Sequence, residues 1–269
     1  MPALTNTFKS RLRARQLQYG LWLAMADDTA TEIAAGSGYD WLLLDGEHAP
    51  YALPSMLSAL RTLAAYPVQP VVRVPVGDAS LIKQVLELGA QTLLIPMVET
   101  AAQARALVAA TRYPPAGIRG VGSGIARSSR WGGHSRYLHE ANEQICLLLQ
   151  VESETALASL EEIAAVEGVD GVFIGPADLS ASMGYLGQAD HPVVVAAIRQ
   201  AIATLNSAGK AAGILCTNPA LAREYIHCGV HFIAVGVDTS LLAQSCRNLI
   251  ASFHTAAADD RPAVAIQSY

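Results

Sequence analysis

Residues 168–184 read GVDGVFIGPADLSASMG. A short apolar strand, 172–174, runs into Gly175-Pro176-Ala177-Asp178, so a carboxylate is presented just past a strand's C-terminal end. Upstream, 145–151 is a second apolar strand, and it finishes on Gln150-Val151-Glu152. Two consecutive strands that each end on a carboxylate point to a divalent metal at the mouth of a parallel barrel. Hard oxygen ligands of this kind suit Mg²⁺ or Mn²⁺, which prefer octahedral oxygen shells and leave positions to water and substrate. Zinc is disfavoured, because the chain has no His-rich or Cys-rich ligand set. Each carboxylate alone has another use as a helix cap: Asp178 for a helix starting at Leu179, Glu152 for the segment that follows it.

Further groups with chemical capacity fall at other strand ends. The second strand ends in Asp45-Gly46-Glu47-His48. An aspartate that orients an imidazole makes a general base, and Asp45 with His48 is the candidate pair. The alternative is a polar loop that caps the helix beyond Pro50. Arg73 interrupts the apolar run Val71-Val72-Arg73-Val74. A buried guanidinium needs an anion, which is either a substrate oxyanion or a structural ion-pair partner. Trp22 ends the first strand and Leu215 the seventh. The remaining histidines show no ligand spacing. The only lysines are Lys9, Lys83 and Lys210, and none stands at a C-terminal strand end. Schiff-base catalysis therefore has no candidate residue, and carbanion chemistry would fall to a metal.

The elements that must position these groups alternate along the chain. Strands are expected at 18–23, 41–44, 70–74, 92–95, 145–151, 172–174, 211–215 and 232–237. Helices are expected at 29–37, 53–65, 80–88, 100–111, 154–165, 192–207, 219–228 and from about 239. The strands are short, continuous apolar runs, the pattern of parallel strands buried on both faces. Eight β–α units in about 250 residues match a TIM barrel, whose active sites lie at the C-terminal strand ends. A doubly wound sheet is the alternative, but the first strand–helix junction lacks G-x-G-x-x-G. One connection, 113–135, is long and carries Pro114-Pro115, Arg119, Arg127 and Arg130; such loops are usually functional or interfacial.

The whole chain, 1–269, is read as one barrel domain with a polar tail from about residue 256. Hydrophobic residues make up 52% of the sequence and charged residues 15%, enough for a large core. A net charge of -5 argues against nucleic-acid binding. No apolar run approaches the ~18 residues of a membrane span. The basic N-terminal segment around Lys9, Arg11, Arg13 and Arg15 is followed by no signal-peptide core and is read as the start of a surface helix. Cys146, Cys216, Cys228 and Cys246 have no C-x-x-C spacing and are read as free thiols in a reducing, cytoplasmic setting.

Several segments together carry a family resemblance. They are 20–23 (GLWL), 41–50 (WLLLDGEHAP), 69–73 (QPVVR), 91–98 (QTLLIPMV), 111–122 (TRYPPAGIRGVG), 150–152 (QVE), 168–180 (GVDGVFIGPADLS) and 234–239 (AVGVDT). From about Phe8 to Leu242 the chain closely resembles the HpcH/HpaI aldolase family. The resemblance implies a modified TIM barrel whose last helix packs on a neighbouring subunit, in a hexamer built from dimers. It implies metal ligation by Glu152 and Asp178, with Mg²⁺, Mn²⁺ or Co²⁺ as the ion. His48 paired with Asp45 is the implied base, and Arg73 the implied contact of the pyruvyl keto oxygen. Gln150, Gly175 and Ala177 would hold the pyruvate end, and Trp22 and Leu215 the aldehyde side. The implied activity is reversible cleavage of a 4-hydroxy-2-keto acid to pyruvate and an aldehyde. The expected substrate is 2-keto-3-deoxy-L-rhamnonate, giving lactaldehyde. The alternatives are 4-hydroxy-2-oxoheptanedioate, giving succinic semialdehyde, and then an acyl-CoA lyase reaction.

Overall fold

The computed structural model describes residues 5–259. Eight parallel strands close into a barrel in sequential order: β1 (Gln18–Leu23), β2 (Trp41–Asp45), β3 (Gln69–Arg73), β4 (Thr92–Ile95), β5 (Cys146–Val151), β6 (Gly171–Ile174), β7 (Ala211–Leu215) and β8 (Phe232–Val237). β8 returns to pair with β1, so no edge strand remains. The (β/α)8 reading is thereby shown. Helices cover the outside: α1 (Thr7–Arg13), α2 (Asp28–Ala35), α3 (Leu53–Leu63), α4 (Ala79–Glu87), α5 (Ala101–Thr111), α6 (Tyr137–Gln144), α7 (Glu154–Ala158), α8 (Leu160–Ala164), α9 (Pro176–Ser182), α10 (Pro192–Ser207), α11 (Pro219–His227) and α12 (Asp238–Asp259). The tail expected from about residue 256 falls outside the described residues from residue 260 onward; up to Asp259 the chain continues α12. Among the described residues no helix is long and apolar enough to cross a membrane.

The core divides by strand parity, as the period of two demands. One face of each strand packs under the helices, with Leu42, Leu44, Val72, Leu93, Leu147 and Val172 among its members. The other face fills the barrel interior with Trp22, Trp41, Leu43, Val71, Leu148, Phe173 and Phe232. Glycines make room for these rings. A Cβ on Gly20 would lie 2.1 Å from the Trp41 ring, and one on Gly213 2.2 Å from that of Phe232.

Three local expectations are corrected. The basic N-terminal segment does begin a helix with Arg11 and Arg13 exposed, but its other face is buried, and α1 closes the barrel floor. Phe8 is fully buried and stacks edge-on against Trp41 and Phe232. Lys9 is buried because its Nζ donates to Ile145 O at 2.6 Å and pairs with Asp170 at 3.2 Å. The segment 154–165 is two short helices divided at Ser159, not one. Finally, 176–182 is a helix of its own, with Pro176 in its first turn. The long connection 113–135 is strapped to the barrel by its arginines. Arg119 donates to Glu87, and Arg127 donates to the carbonyls of Leu60 and Leu88.

Candidate active site

The strand register brings the chemical groups together. Asp45 pairs with Arg73 across β2 and β3, and both continue the inward-facing series that holds Leu43 and Val71 below them. Arg73 Nε donates to Asp45 Oδ1 at 2.9 Å and Nη2 donates to Oδ2 at 2.7 Å, a bidentate fork. Trp22 Nε1 donates to the same Oδ2 at 3.1 Å, and the guanidinium lies 4.9 Å from the Trp22 ring centroid. The backbone N–H groups of Glu47 and His48 donate to Asp45 Oδ1. Burial works to raise the Asp45 pKa, but the hydrogen bonds and charge of Arg73 prevail and hold it below the usual carboxylate range.

Among the described residues no hydrogen bond or ion pair joins the side chains of the expected Asp45–His48 pair in this geometry. Asp45 grips Arg73 and the backbone of its own loop, not the imidazole. The carboxylate beside the exposed His48 ring is Glu47, with Oε2 3.8 Å from Nε2. Glu47 Oε2 also lies 2.7 Å from Arg73 Nη1, an ionic contact without good hydrogen-bond alignment. Burial pushes the Glu47 pKa up, against the pull of Arg73 and His48. Glu47 escaped the sequence reading although it stands inside the same Asp-Gly-Glu-His run. Its signal was a third charged residue at a strand end already rich in them.

Across the mouth, β5 delivers Gln150 and Glu152. Gln150 Oε1 accepts from Arg73 Nη1 at 3.5 Å, and Gln150 Nε2 donates to Glu152 Oε2. Glu152 Oε1 accepts from Met97 N at 2.8 Å. Glu152 does not cap the following helix: Ser153 does, accepting from Ala156 N. Asp178 does not cap a helix at Leu179 either. It lies exposed in the first turn of α9, and among the described residues its carboxylate has no hydrogen-bond or ion-pair partner. Burial raises the Glu152 pKa, and the negative fields of Asp178 and Glu47 push the same way. Gly175 lets β6 approach this group. A Cβ there would stand 2.5 Å from Glu152 Oε2 and 3.0 Å from Gln150 Nε2. Ala177 is exposed beside Asp178, and Leu215 packs against the interior cluster that holds Trp22 and Phe173.

The guanidinium is paired with two carboxylates, Asp45 and Glu47, while Glu152, Asp178 and Glu47 lie close enough to act on one another as like charges. The donor set would fit a divalent cation: Glu152 and Asp178 are two hard-oxygen donors, one buried and one exposed, in surplus negative field. Among the described residues no group of three or more His, Cys, Asp and Glu side chains is gathered as a ligand cluster. An ion here would take its remaining ligands from water and substrate.

The described residues thus form a closed (β/α)8 barrel with an arginine and several carboxylates at its C-terminal mouth. The family model for HpcH/HpaI aldolase/citrate lyase matches residues 18–245, and the chain belongs to that family. It is 60% identical over 248 residues to the hydroxypyruvate/pyruvate aldolase of Pseudomonas aeruginosa, covering 92% of each chain. It is 55% identical over 250 residues to the 4-hydroxy-2-oxo-heptane-1,7-dioate aldolase of Salmonella arizonae, covering 93% of this chain and 95% of the relative. The crystal structure of an HpcH/HpaI aldolase/citrate lyase family protein from Burkholderia cenocepacia superposes with a TM-score of 0.90 at 42% identity, covering 93% of this chain and all of the other.

Proposed function

We propose that the chain is a metal-dependent pyruvate aldolase. It would cleave a 4-hydroxy-2-keto acid to pyruvate, or a hydroxypyruvate-derived analogue to hydroxypyruvate, with release of an aldehyde. The observation that carries this is Arg73, fixed by Asp45, Glu47 and Trp22 at a mouth that holds no lysine. Lys9 and Lys210 sit at the opposite end, bonded to the carbonyls of Ile145, Val166 and Val169. Lys83 is on the outer helix α4.

Glu152 and Asp178 would hold the cation, which when bound supplies Lewis acidity toward the keto and carboxylate oxygens of the acid. Arg73 donates to the keto oxygen, where negative charge grows as the C3–C4 bond breaks. It serves this role well because its carboxylate partners fix the fork before substrate arrives. Gln150 ties Arg73 to Glu152, so the oxygen-binding groups move as one unit. His48, exposed at the rim, takes the proton from the C4 hydroxyl, and Glu47 stabilises the imidazolium that results. Trp22 and Leu215 border the apolar side on which the aldehyde leaves. The names of the relatives favour pyruvate or hydroxypyruvate as the nucleophile. 4-Hydroxy-2-oxoheptanedioate is supported as a second substrate by the Salmonella relative. 2-Keto-3-deoxy-L-rhamnonate belongs in the same panel.

Helix α12 supports a homo-oligomer. Leu242, Cys246, Leu249, Ile250 and Phe253 form one apolar stripe that the chain's own barrel leaves exposed. We infer that this stripe packs on a neighbouring subunit in an assembly as large as a hexamer. A monomer by light scattering at micromolar concentration would overturn this.

The test of activity is pyruvate release from a retro-aldol panel, coupled to lactate dehydrogenase. Chelation should abolish it, and Mg²⁺, Mn²⁺ or Co²⁺ should restore it. Borohydride with pyruvate should trap no adduct. Full activity of the stripped enzyme, or a trapped imine, would refute the reading.

A further inference from the structure

The turn after β4 carries a backbone anomaly aimed at the site. Met97 has φ 55°, in the left-handed region that side chains other than glycine rarely adopt. The preceding Pro96 has no N–H to give. Val98 N donates to Gln150 O at 3.1 Å, which returns the chain to β5. Between them the left-handed residue turns its own N–H out of the ladder and onto Glu152 Oε1 at 2.8 Å. The Met97 side chain is 54% exposed, so it does not hold this conformation through core packing. Two adjacent amides thus clamp β5 at its last inward-facing groups, one on the backbone of Gln150 and one on the carboxylate of Glu152.

We propose that Met97 is a positioning residue. Its left-handed backbone presents an N–H that holds Glu152 Oε1 while the Gln150 amide holds Oε2, so the rotamer of the carboxylate is fixed for the cation. This rests on Glu152 being a ligand, as proposed above. The clamp is made by the protein's own groups, the residue 97 amide and the Glu152 carboxylate. It is a property of the backbone, so it depends on which residues tolerate positive φ and not on the thioether.

The experiment is a Mn²⁺ titration followed by electron paramagnetic resonance on the stripped enzyme, with circular dichroism and Tm for each variant. Met97→Gly and Met97→Ala should bind Mn²⁺ as the parent does. Met97→Ile, β-branched and poorly suited to this φ, should weaken binding about 10–100-fold, the usual effect of losing a group that orients a ligand. Hydrogen exchange at the residue 97 amide gives a second reading that needs no folded Ile variant. The amide should be protected in the parent and lose protection in Glu152→Ala. Parent-like binding by Met97→Ile, loss in Met97→Ala, or an unprotected amide in the parent would overturn the proposal. Glu152→Gln separates the two ideas. Parent-like Mn²⁺ binding in that variant refutes the ligand assignment itself, whereas lost binding there together with full binding in Met97→Ile refutes only the clamp.

Discussion

Replacing Asp45 by Asn tests whether this residue serves the guanidinium or the imidazole. Asp45 accepts from five donors: Arg73 Nε and Nη2, Trp22 Nε1, and the N–H groups of Glu47 and His48. Asparagine keeps one carbonyl oxygen, which can serve Arg73 Nε and the two backbone groups. Its NH₂ then faces Arg73 Nη2 and Trp22 Nε1, donor against donor. Each stranded donor costs about 1–3 kcal/mol. The side chains of Arg73 and Asp45 are only 7% and 4% exposed, so water relieves little of this. Breaking one side of a buried pair costs about 3–5 kcal/mol, and Glu47, 2.7 Å from Nη1, keeps the loss near the lower end. A loss of about 3 kcal/mol corresponds to a Tm drop of roughly 6–12 °C at this chain length, measured at fixed protein concentration. Loosening Arg73 should also lower retro-aldol kcat by about 10²–10³. The pH dependence has a definite sign. Arg73 holds the Asp45 carboxyl below its ordinary value, so the unfolded chain binds this proton more readily than the folded one. The stabilisation is full above the unfolded pKa of about 4 and is lost as pH falls through the depressed folded value. The Tm gap between the parent and Asp45→Asn should therefore close in acid. A Tm within about 2 °C of the parent at neutral pH, with the loss confined to proton transfer, would refute the fork and restore the imidazole as Asp45's partner.

Other perturbations separate the remaining roles. His48→Ala should damage aldol cleavage and pyruvate methyl-proton exchange far more than oxaloacetate decarboxylation, which reaches the same enolate by losing CO₂; equal losses would remove His48 as the base. Glu47→Gln should follow His48→Ala in milder form, with a smaller effect on Tm than Asp45→Asn, as read by the same three assays. Gly175→Ala should cut activity at least about 100-fold while the circular dichroism spectrum is unchanged, because the added methyl meets Glu152 and Gln150 and not the core; near-normal turnover would mean the carboxylate is free to move. Phe8→Ala should cost about 3–5 kcal/mol, seen as a lower Tm with specific activity retained at 25 °C, since the change lies at the end of the barrel away from the site.

Much of this architecture was legible because strand burial on both faces is written into composition. Runs such as Trp41 to Leu44 admit few other structures. The positions of Glu152, Asp178 and Arg73 at one mouth then followed from the barrel rule. What escaped the sequence was who touches whom. Asp45 and His48 are neighbours along the chain, and that proximity concealed the cross-strand register in which Asp45 faces Arg73. The parity of the inward positions, 41, 43 and 45 against 71 and 73, was the available signal. The floor helix was missed for a different reason. Its arginines and lysine suggested solvent, but Phe8 and Leu12 sit one helical turn apart, and Lys9 finds its counter-charge in Asp170, far along the chain. Local polarity cannot report a partner more than a hundred residues away.

The floor helix also ties distant parts of the chain to one another. Asn6 bonds Gln91, Thr92 and Gln144, Lys9 bonds Ile145 and Asp170, and Phe8 stacks on Trp41 and Phe232. α1 is thus held by partners as far along the chain as β8, more than two hundred residues away. The Phe8 ring has no complete socket without the eighth strand. Closure of the sheet and seating of the plug are thereby coupled, because both require β8: it pairs with β1 and supplies Phe232 against the Phe8 ring.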